Sequence, residues 1–355
     1  MLERIKIEGF KSIKSLDLSL GPINLLIGSN GVGKSNFVSF FKLVNKIYEQ
    51  RLQQYALQQG VENLMHFGRK ETKQIFGHLS FGNNVFEFSL APNSQGGLFI
   101  EKEESILPKT QAFPQRYFDV NLTESKIKDS DRERDSFLRK HLESYKIYHF
   151  HDTSETAPLR SRAQVNDNRI LRENGSNLPA YLYFLKLKYP KNYKRIESIV
   201  HSIVPDFDRF ELQPMALDEN SIELNWSEIN QPEHYFNATH LSDGSLRFIA
   251  LVTLLEQPVL PQVILIDEPE LGLHPVAIEK LAGLIQSVAA RGCQMIVSTQ
   301  SVNLLNHFEA EDIITVDREG GKSVFSRIDS EALKHWLADY SLGELWTKSL
   351  IKGQP

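Results

Sequence analysis

The run Gly28, Ser29, Asn30, Gly31, Val32, Gly33, Lys34, Ser35, Asn36 constrains this chain more than any other stretch. It satisfies G-x-x-x-x-G-K-[ST], and its surroundings are those the pattern requires. Ile23 to Ile27 ahead of it is a short apolar strand. Behind it Phe37, Phe40, Phe41, Val44 and Tyr48 recur at helical spacing, and the pattern predicts a helix running on toward Gln59. The glycines let the backbone turn with its N–H groups facing inward at a helix N-terminus, where phosphate oxygens bind. Lys34 can then reach β- and γ-phosphates, and the Ser35 hydroxyl can ligate Mg²⁺. The motif predicts a site for a nucleoside triphosphate.

A second feature lies far downstream. Val263-Ile-Leu-Ile266 is an aliphatic run that ends in Asp267-Glu268-Pro269, as a strand buried on both faces of a parallel sheet does. Ligands bind at the carboxyl ends of such strands. Asp267 is placed to hold Mg²⁺, and Glu268 to accept a hydrogen bond from a water attacking the γ-phosphorus. Some twenty residues earlier, Leu241-Ser242-Asp243-Gly244-Ser245-Leu246-Arg247 leads into an apolar helix from Phe248 to Leu255. Ser242 is a good N-cap, and with Gly244 it exposes N–H groups and a hydroxyl at a helix start, so the stretch reads either as a simple cap or as a second anion site.

The rest of the chain alternates between β and α patterns. Leu2–Glu8 and Ile13–Leu20 read as two antiparallel strands joined by Gly9-Phe10-Lys11-Ser12. Residues 75–102 read as a three-strand meander with Gly82-Asn-Asn84 and Asn93–Gly97 as turns. The interval from Glu101 to about Arg139 is charged and poorly periodic, and Lys126–Lys140 within it reads as a solvated helix or a mobile segment. Tyr145–Phe150 is a strand, Leu178–Lys188 and Tyr193–Val204 are amphipathic helices, and Phe210–Leu212 and Ser221–Asn225 alternate like strands. Lys186, Lys188, Lys191, Lys194 and Arg195 form a basic run, either a solvated helix face or a track for a phosphate backbone. His149 and His151 share a strand face, but no third ligand is evident beside them.

Bulk properties exclude several classes. The chain has 355 residues, a formal net charge of -5 and a single cysteine, Cys293. No intrachain disulfide or cysteine zinc site can form. No apolar run approaches the ~20 residues of a membrane span, and the start has no signal-peptide core, so a cytoplasmic protein is expected.

Taken together, Gly28–Asn36, Leu241–Arg247, Ile264–Pro275 and Ile296–Ser301 resemble, in order and spacing, the four motifs of ABC-type ATPase heads. The nearest likeness is the RecF/SMC/OLD-like group, whose members begin with a strand and a Gly-Phe-Lys-Ser-like turn. The resemblance implies an α/β P-loop NTPase: an ABC-type head with an antiparallel β-subdomain and a helical lobe. It implies one composite unit, with residues 1–110 and 256–355 forming the nucleotide-binding lobe with its β-meander. Residues 111–255 would be an inserted helical and signature lobe. It adds Lys11 to the nucleotide-binding residues and makes Ser242 and Gly244 a signature that completes the γ-phosphate site of a second copy. Glu270–Pro275 looks like the D-loop that crosses such an interface.

This sequence departs from the group at one place. Where most ABC proteins have a switch histidine, the run is Ile296-Val-Ser-Thr-Gln300-Ser301. Glutamine can hydrogen-bond a γ-phosphate or its water but carries no proton or charge at neutral pH. The expected catalytic set is Glu268, Lys34 and Gln300. The usual glutamine loop is not securely placed; Arg160–Gln164 is a candidate, with a plain surface loop as the alternative. Between Ser35 and Leu241 there are no sustained heptads, so the head has no SMC-type arm.

The resemblance implies ATP and Mg²⁺ as ligands and a head-to-head dimer or larger assembly as the ATP-bound form. Its expected partner is a separate effector, such as a TOPRIM-like nuclease, under control of the ATP cycle in bacterial anti-phage defence. The alternative is a DNA-repair or recombination ATPase that binds DNA directly. A transporter ATPase fits less well, given the strands at 75–102 and Gln300.

Overall fold

The computed structural model describes residues 1–106, 116–132 and 135–353. In chain order the strands are β1 (Arg4–Phe10), β2 (Ile13–Ser19), β3 (Ile23–Ile27), β4 (Ile75–Phe81), β5 (Asn84–Pro92), β6 (Leu98–Ile106), β7 (Arg116–Leu122) and β8 (Tyr145–Tyr148). There follow β9 (Ala163–Gln164), β10 (Phe207–Phe210), β11 (Pro214–Met215), β12 (Asp218–Ile222), β13 (Asn225–Glu228) and β14 (Gln231–Asn237). The last four are β15 (Val263–Asp267), β16 (Gln294–Thr299), β17 (Ile313–Glu319) and β18 (Lys322–Arg327). The main helices are α1 (Lys34–Tyr48), α2 (Leu52–Gln59), α3 (Asp135–Glu143), α4 (Leu178–Lys188), α5 (Pro190–His201), α6 (Asp243–Leu255) and α7 (Pro275–Ala290).

Two six-stranded sheets organise these elements. The central one runs β18-β17-β3-β16-β15-β8 and is parallel except for the β17–β18 hairpin. The outer one, β2-β1-β4-β5-β6-β7, is antiparallel throughout. Strand periodicity explains how the central sheet is buried on both faces. In β15, Val263 and Leu265 face one core while Ile264 and Ile266 face the other. Helix α1 fills the space between the sheets: Phe40 meets Phe10 of β1 and stacks on Phe88 of β5, while Phe41 meets Tyr145 of β8. Helices α4, α5, α6 and α7 contribute to the core on the opposite face.

The fold is the expected one, and several local expectations are corrected. The helix after the phosphate loop stops at Tyr48 rather than running to Gln59; Gln50 takes a left-handed φ of 59°, and α2 starts afresh at Leu52. The expected three-strand meander of residues 75–102 is present as β4-β5-β6, and the sheet continues beyond it, because β4 pairs with β1 and β6 with β7. Ser221–Asn225 is not one strand: β12 pairs with β9 and β11, whereas β13 lies between β10 and β14 in another small sheet. From within residues 111–255, β8 pairs in parallel with β15 and so extends the central sheet. Helix α3 is not merely solvated; Leu138 and Leu142 are fully buried in the core shared with α1. Of the charged interval from Glu101 to Arg139, residues 107–115 and 133–134 lie outside the described residues.

Candidate functional site

The phosphate loop joins the C-terminal end of β3 to the N-terminus of α1. Two of its glycines, Gly28 and Gly33, are required by close approach. A Cβ on Gly33, whose φ is +120°, would sit 2.0 Å from Ser323 Oγ, so only glycine lets the loop lie against the β17–β18 hairpin. That contact belongs to a small network: Asn36 Nδ2 donates to Ser12 Oγ at 2.7 Å, the Ser12 and Ser323 hydroxyls lie 2.6 Å apart, and Ser323 Oγ donates to the Val32 carbonyl. The β1–β2 turn, the hairpin and the loop are thereby fixed to one another.

Lys34 is buried, and its ammonium donates to the carbonyls of Gly28 at 2.5 Å and Ser29 at 2.9 Å. Burial lowers its pKa, while the carboxylates of Glu268, Asp267 and Glu270 act in the opposite sense. Parallel pairing sets Asp267 beside Ser298. The Ser298 hydroxyl donates to Asp267 Oδ1, and Ser35 Oγ reaches Asp267 Oδ2 at 3.3 Å. A hydroxyl and a carboxylate side by side suit Mg²⁺, a hard cation that is held by one or two protein oxygens and fills its remaining positions with phosphates and water. Consistent with so sparse a set, no group of three or more His, Cys, Asp or Glu able to hold a metal occurs among the described residues.

Glu268 follows with a left-handed φ of 41°, an uncommon conformation for a non-glycine residue and one that clusters at functional sites. The Gln300 amide spans two partners, donating to Asn30 Oδ1 at 2.7 Å and to Glu268 Oε1. Glutamine at this position therefore connects the phosphate loop to the carboxylate beside Asp267. Its backbone is held by Glu270, whose Oε1 accepts from Gln300 N at 3.0 Å and from Thr299 Oγ1 at 2.5 Å. Glu270 is buried with its second oxygen unpartnered, and burial raises its pKa above the ordinary carboxylate value.

Sequence reasoning missed three further contributors. His151 follows β8, and its Nε2 lies 2.6 Å from the Asp267 carbonyl, so it donates from that nitrogen. Arg247 is buried and donates to the carbonyls of Phe150 and His151, each at 2.9 Å, and of Leu271. Ser298 is visible in the sequence only as a member of the Ile296–Ser301 run, with no role of its own. The signals for all three are tertiary: a strand register, and contacts between segments about a hundred residues apart. His149 and His151 lie beyond the end of β8 rather than on it, with ring centroids 6.2 Å apart.

Ser242 caps α6 by accepting from Ser245 N at 3.1 Å and is exposed. No hydrogen bond joins Ser242 or Gly244 to residues 28–36 among the described residues. The Ser242–Gly244 stretch instead lies against the Glu270–Pro275 loop, where a Cβ on Gly244 would be 2.4 Å from the Gly272 carbonyl oxygen. Arg160 buttresses the same stretch, bonding the carbonyls of Ala238 and Leu241 and, at 2.9 Å, Asp243 Oδ1. Gln164 hydrogen-bonds Ser221 in the small β9–β12 sheet, so the 160–164 segment supports the signature, and it is the 149–151 segment that touches Asp267. Lys11 sits at the β1–β2 turn with φ 48°, its pKa lowered by burial and by Lys42.

Known proteins resemble this chain in sequence and in fold. Residues 23–306 match the family described as "AAA domain, putative AbiEii toxin, Type IV TA system". The chain is 23% identical over 354 residues to the OLD nuclease of Thermus scotoductus, an alignment covering 90% of this chain and 63% of that protein. It is 32% identical over 106 residues to the energy-coupling factor transporter ATP-binding protein EcfA of Methanocaldococcus jannaschii, covering 28% of this chain and 36% of that one. The chain thus spans less than two thirds of the length of either relative. Among solved structures, an SMC head bound to the C-terminal winged-helix domain of ScpA superimposes with a TM-score of 0.56 at 14% identity, covering 93% of this chain and 99% of that one. An SMC head from Pyrococcus furiosus with an extended coiled coil, bound to the C-terminal domain of ScpA, gives 0.54 at 14% identity, covering 95% and 98%. No helix among the described residues is long and apolar enough to cross a membrane. The chain belongs to this AAA-domain family, and its fold is that of the ABC-type heads of the RecF, SMC and OLD group.

Proposed function

We propose that the chain binds ATP with Mg²⁺ on Gly28–Asn36, hydrolyses it in a head-to-head pair of copies, and uses the cycle to control a separate effector, a nuclease, in anti-phage defence. One observation carries the catalytic reading: at the ends of β3, β15 and β16, Ser35 meets Asp267 and Gln300 meets Glu268, and both carboxylates act electrostatically on Lys34. Lys34 leaves the Gly28 and Ser29 carbonyls to meet the β- and γ-phosphates. Ser35 and Asp267 would hold Mg²⁺, which would supply charge neutralisation when bound. Glu268 accepts a proton from water as its oxygen bonds the γ-phosphorus and the bond to the bridging oxygen breaks, releasing ADP and phosphate. Gln300, already within reach of Glu268, orients that water.

A pair of copies is supported by the exposure of Ser242 and its lack of any bond to its own phosphate loop. A nuclease partner is supported by the OLD nuclease relative, of which this chain matches only part. The test is Glu268→Gln. The variant should bind ATP, turn it over at least about a hundredfold more slowly and elute as a dimer with ATP, since losing a general base costs about 10²–10⁴; unchanged turnover would remove Glu268 from the chemistry. Direct DNA binding is the second reading, because Lys186, Lys188, Lys191 and Lys194 are all exposed near the α4–α5 corner. Salt-dependent retention of duplex DNA by the purified protein would favour it.

A further inference from the structure

Two segments of the candidate site, the chain that follows Gln300 and the base of the phosphate loop, are held by one stretch, residues 341–353. Its first half is a short helix, α9 (Leu342–Thr347), opened by a capping box in which the side chains of Ser341 and Glu344 each accept from the other's backbone N–H. It packs on α8 (Val302–Leu305), the turn into which Gln300 leads and which the Ser301 hydroxyl caps. Gly343 N donates to Asn306 Oδ1 at 2.7 Å, and a Cβ on Gly343 would stand 2.5 Å from Val302 Cγ1, so the two helices meet at a distance that only glycine permits. Leu304 and Leu305 of α8 and Leu345 and Trp346 of α9 are fully buried in one core.

The second half ends at the phosphate loop. Gly353 has a φ of 80°, and both of its backbone polar groups are taken. Its N–H donates to the two Asp317 carboxylate oxygens at 2.9 and 3.0 Å, and its carbonyl accepts from Trp346 Nε1. A Cβ there would stand 3.1 Å from the Ile27 carbonyl oxygen, so the stretch closes on the last residue of β3, immediately before Gly28. Asp317 lies between two residues of β17 that meet the loop themselves. The Val316 carbonyl oxygen would be 2.3 Å from a Cβ on Gly28, and Arg318 Nη1 donates to the Gly31 carbonyl at 3.2 Å.

We propose that residues 341–353 form a clasp that positions Gln300 against the phosphate loop, with Trp346 and Asp317 as the positioning residues at its closure. The inference deepens the hydrolytic reading above and rests on it. Gln300 carries no charge, so what it does for water or phosphate depends on where its amide stands. That amide ends a flexible side chain, and it spans Asn30 of the loop and Glu268 only while both flanks are fixed. Glu270 holds the backbone of Gln300 from one side. The clasp holds the rest: α9 fixes the chain after Gln300, and Gly353 fixes the end of β3 from which the loop departs. Opening the clasp would let these ends drift while the pairing of β3 with β16 kept the sheet intact.

The test is steady-state ATP hydrolysis by the full chain, with the melting temperature measured beside it. Asp317→Ala removes the acceptor for Gly353 N from a half-buried side chain. It should lower kcat on the order of tenfold, since a misplacement of about 1 Å can cost about 10²-fold, while KM for ATP changes by less than about twofold. Asp317→Asn, which keeps one acceptor oxygen, should restore most of kcat. In a Gln300→Ala background, Asp317→Ala should lower kcat no further, because a clasp that acts through Gln300 then has nothing left to position. An unchanged kcat in Asp317→Ala, even with a lower melting temperature, would overturn the clasp, as would the same loss with and without Gln300; either result leaves Lys34 and Glu268 in their roles. If Lys34→Ala bound ATP as tightly as the parent, the nucleotide reading would fail and the clasp with it.

Discussion

Gly244→Ala separates two roles that the signature glycine can have. In a pair of copies it would approach a phosphate of the other subunit; within its own chain it already touches the D-loop. A Cβ at 244 would lie 2.4 Å from the Gly272 carbonyl oxygen, about 1 Å inside ordinary contact, and the obstacle is backbone. Gly272 cannot easily retreat, because it has φ +73° and its own Cβ position is 2.9 Å from Arg247 Nη1. Overpacking of this kind costs about 1–3 kcal/mol. The gain in helix propensity on replacing glycine, at most about 1 kcal/mol and smaller at a first turn, offsets part of it. A net loss of about 1–2 kcal/mol follows, or about 1–3 °C in a chain of this size. The assay is thermal unfolding without nucleotide. Gly283→Ala is the control: it lies within α7 with nothing within 4 Å of the added methyl, so the same chemical change should stabilise by up to about 1 kcal/mol. If Gly244→Ala melted like the parent without nucleotide, the contact with Gly272 would not shape the loop, and only the intersubunit role would remain.

Two further substitutions probe the same neighbourhood. Arg247→Met removes donors to Phe150, His151 and Leu271 while keeping the bulk of the side chain. It should cost about 1–3 kcal/mol of stability by leaving buried carbonyls unpaired, and ATP-dependent dimerisation should fall more than ATP affinity; an equal loss of both would refute the coupling. Glu270→Gln tests pH dependence. Burial raises the Glu270 pKa above the ordinary 4.5, so the native state favours the protonated carboxyl; its stabilising contribution is complete below 4.5 and is lost as pH rises through the elevated value. A permanently neutral glutamine keeps an acceptor for Thr299 and Gln300, so the melting temperature of the variant relative to the parent should be higher at pH 8 than at pH 5; a pH-independent difference would refute it.

The sequence exposed the strand–loop–helix of the phosphate site because its information is local: an apolar strand, glycines at forced turns, and a helical repeat of phenylalanines. It exposed β15 for the same reason, as four aliphatics before two acids. It did not expose β8 as a member of the central sheet. Four residues of strand inside an otherwise helical and loop-rich stretch carry no sign of which sheet they join, and pairing with β15 is a contact across more than a hundred residues. Nor could it assign Glu270. The carboxyl is adjacent to the acidic pair in sequence, yet its function in the fold is to hold the backbone of Gln300, which arrives on a different strand. Of the two readings of Ser242, cap or anion site, the geometry within the chain is that of a cap, with an exposed hydroxyl bonded to Ser245. Arg160 and Gln164 were grouped as one loop, but the fold separates their roles, one supporting the signature and the other pairing with Ser221.

These contacts bear on how one copy could report its nucleotide state to another. Asp267 shares its carboxylate with Ser35 and Ser298 and its carbonyl with His151. The His151 carbonyl is bonded by Arg247 of the signature helix, and Arg247 also bonds Leu271 in the D-loop. A displacement of Asp267 on ligand binding would therefore reach α6 through two rigid links rather than through a flexible loop. The same guanidinium fixes the D-loop backbone against which Gly244 packs, so signature and D-loop should move as one body relative to the phosphate loop. A head built this way would present its signature to a second copy in a position set by its own nucleotide. Breaking the Arg247 staple should therefore uncouple binding from pairing without emptying the site.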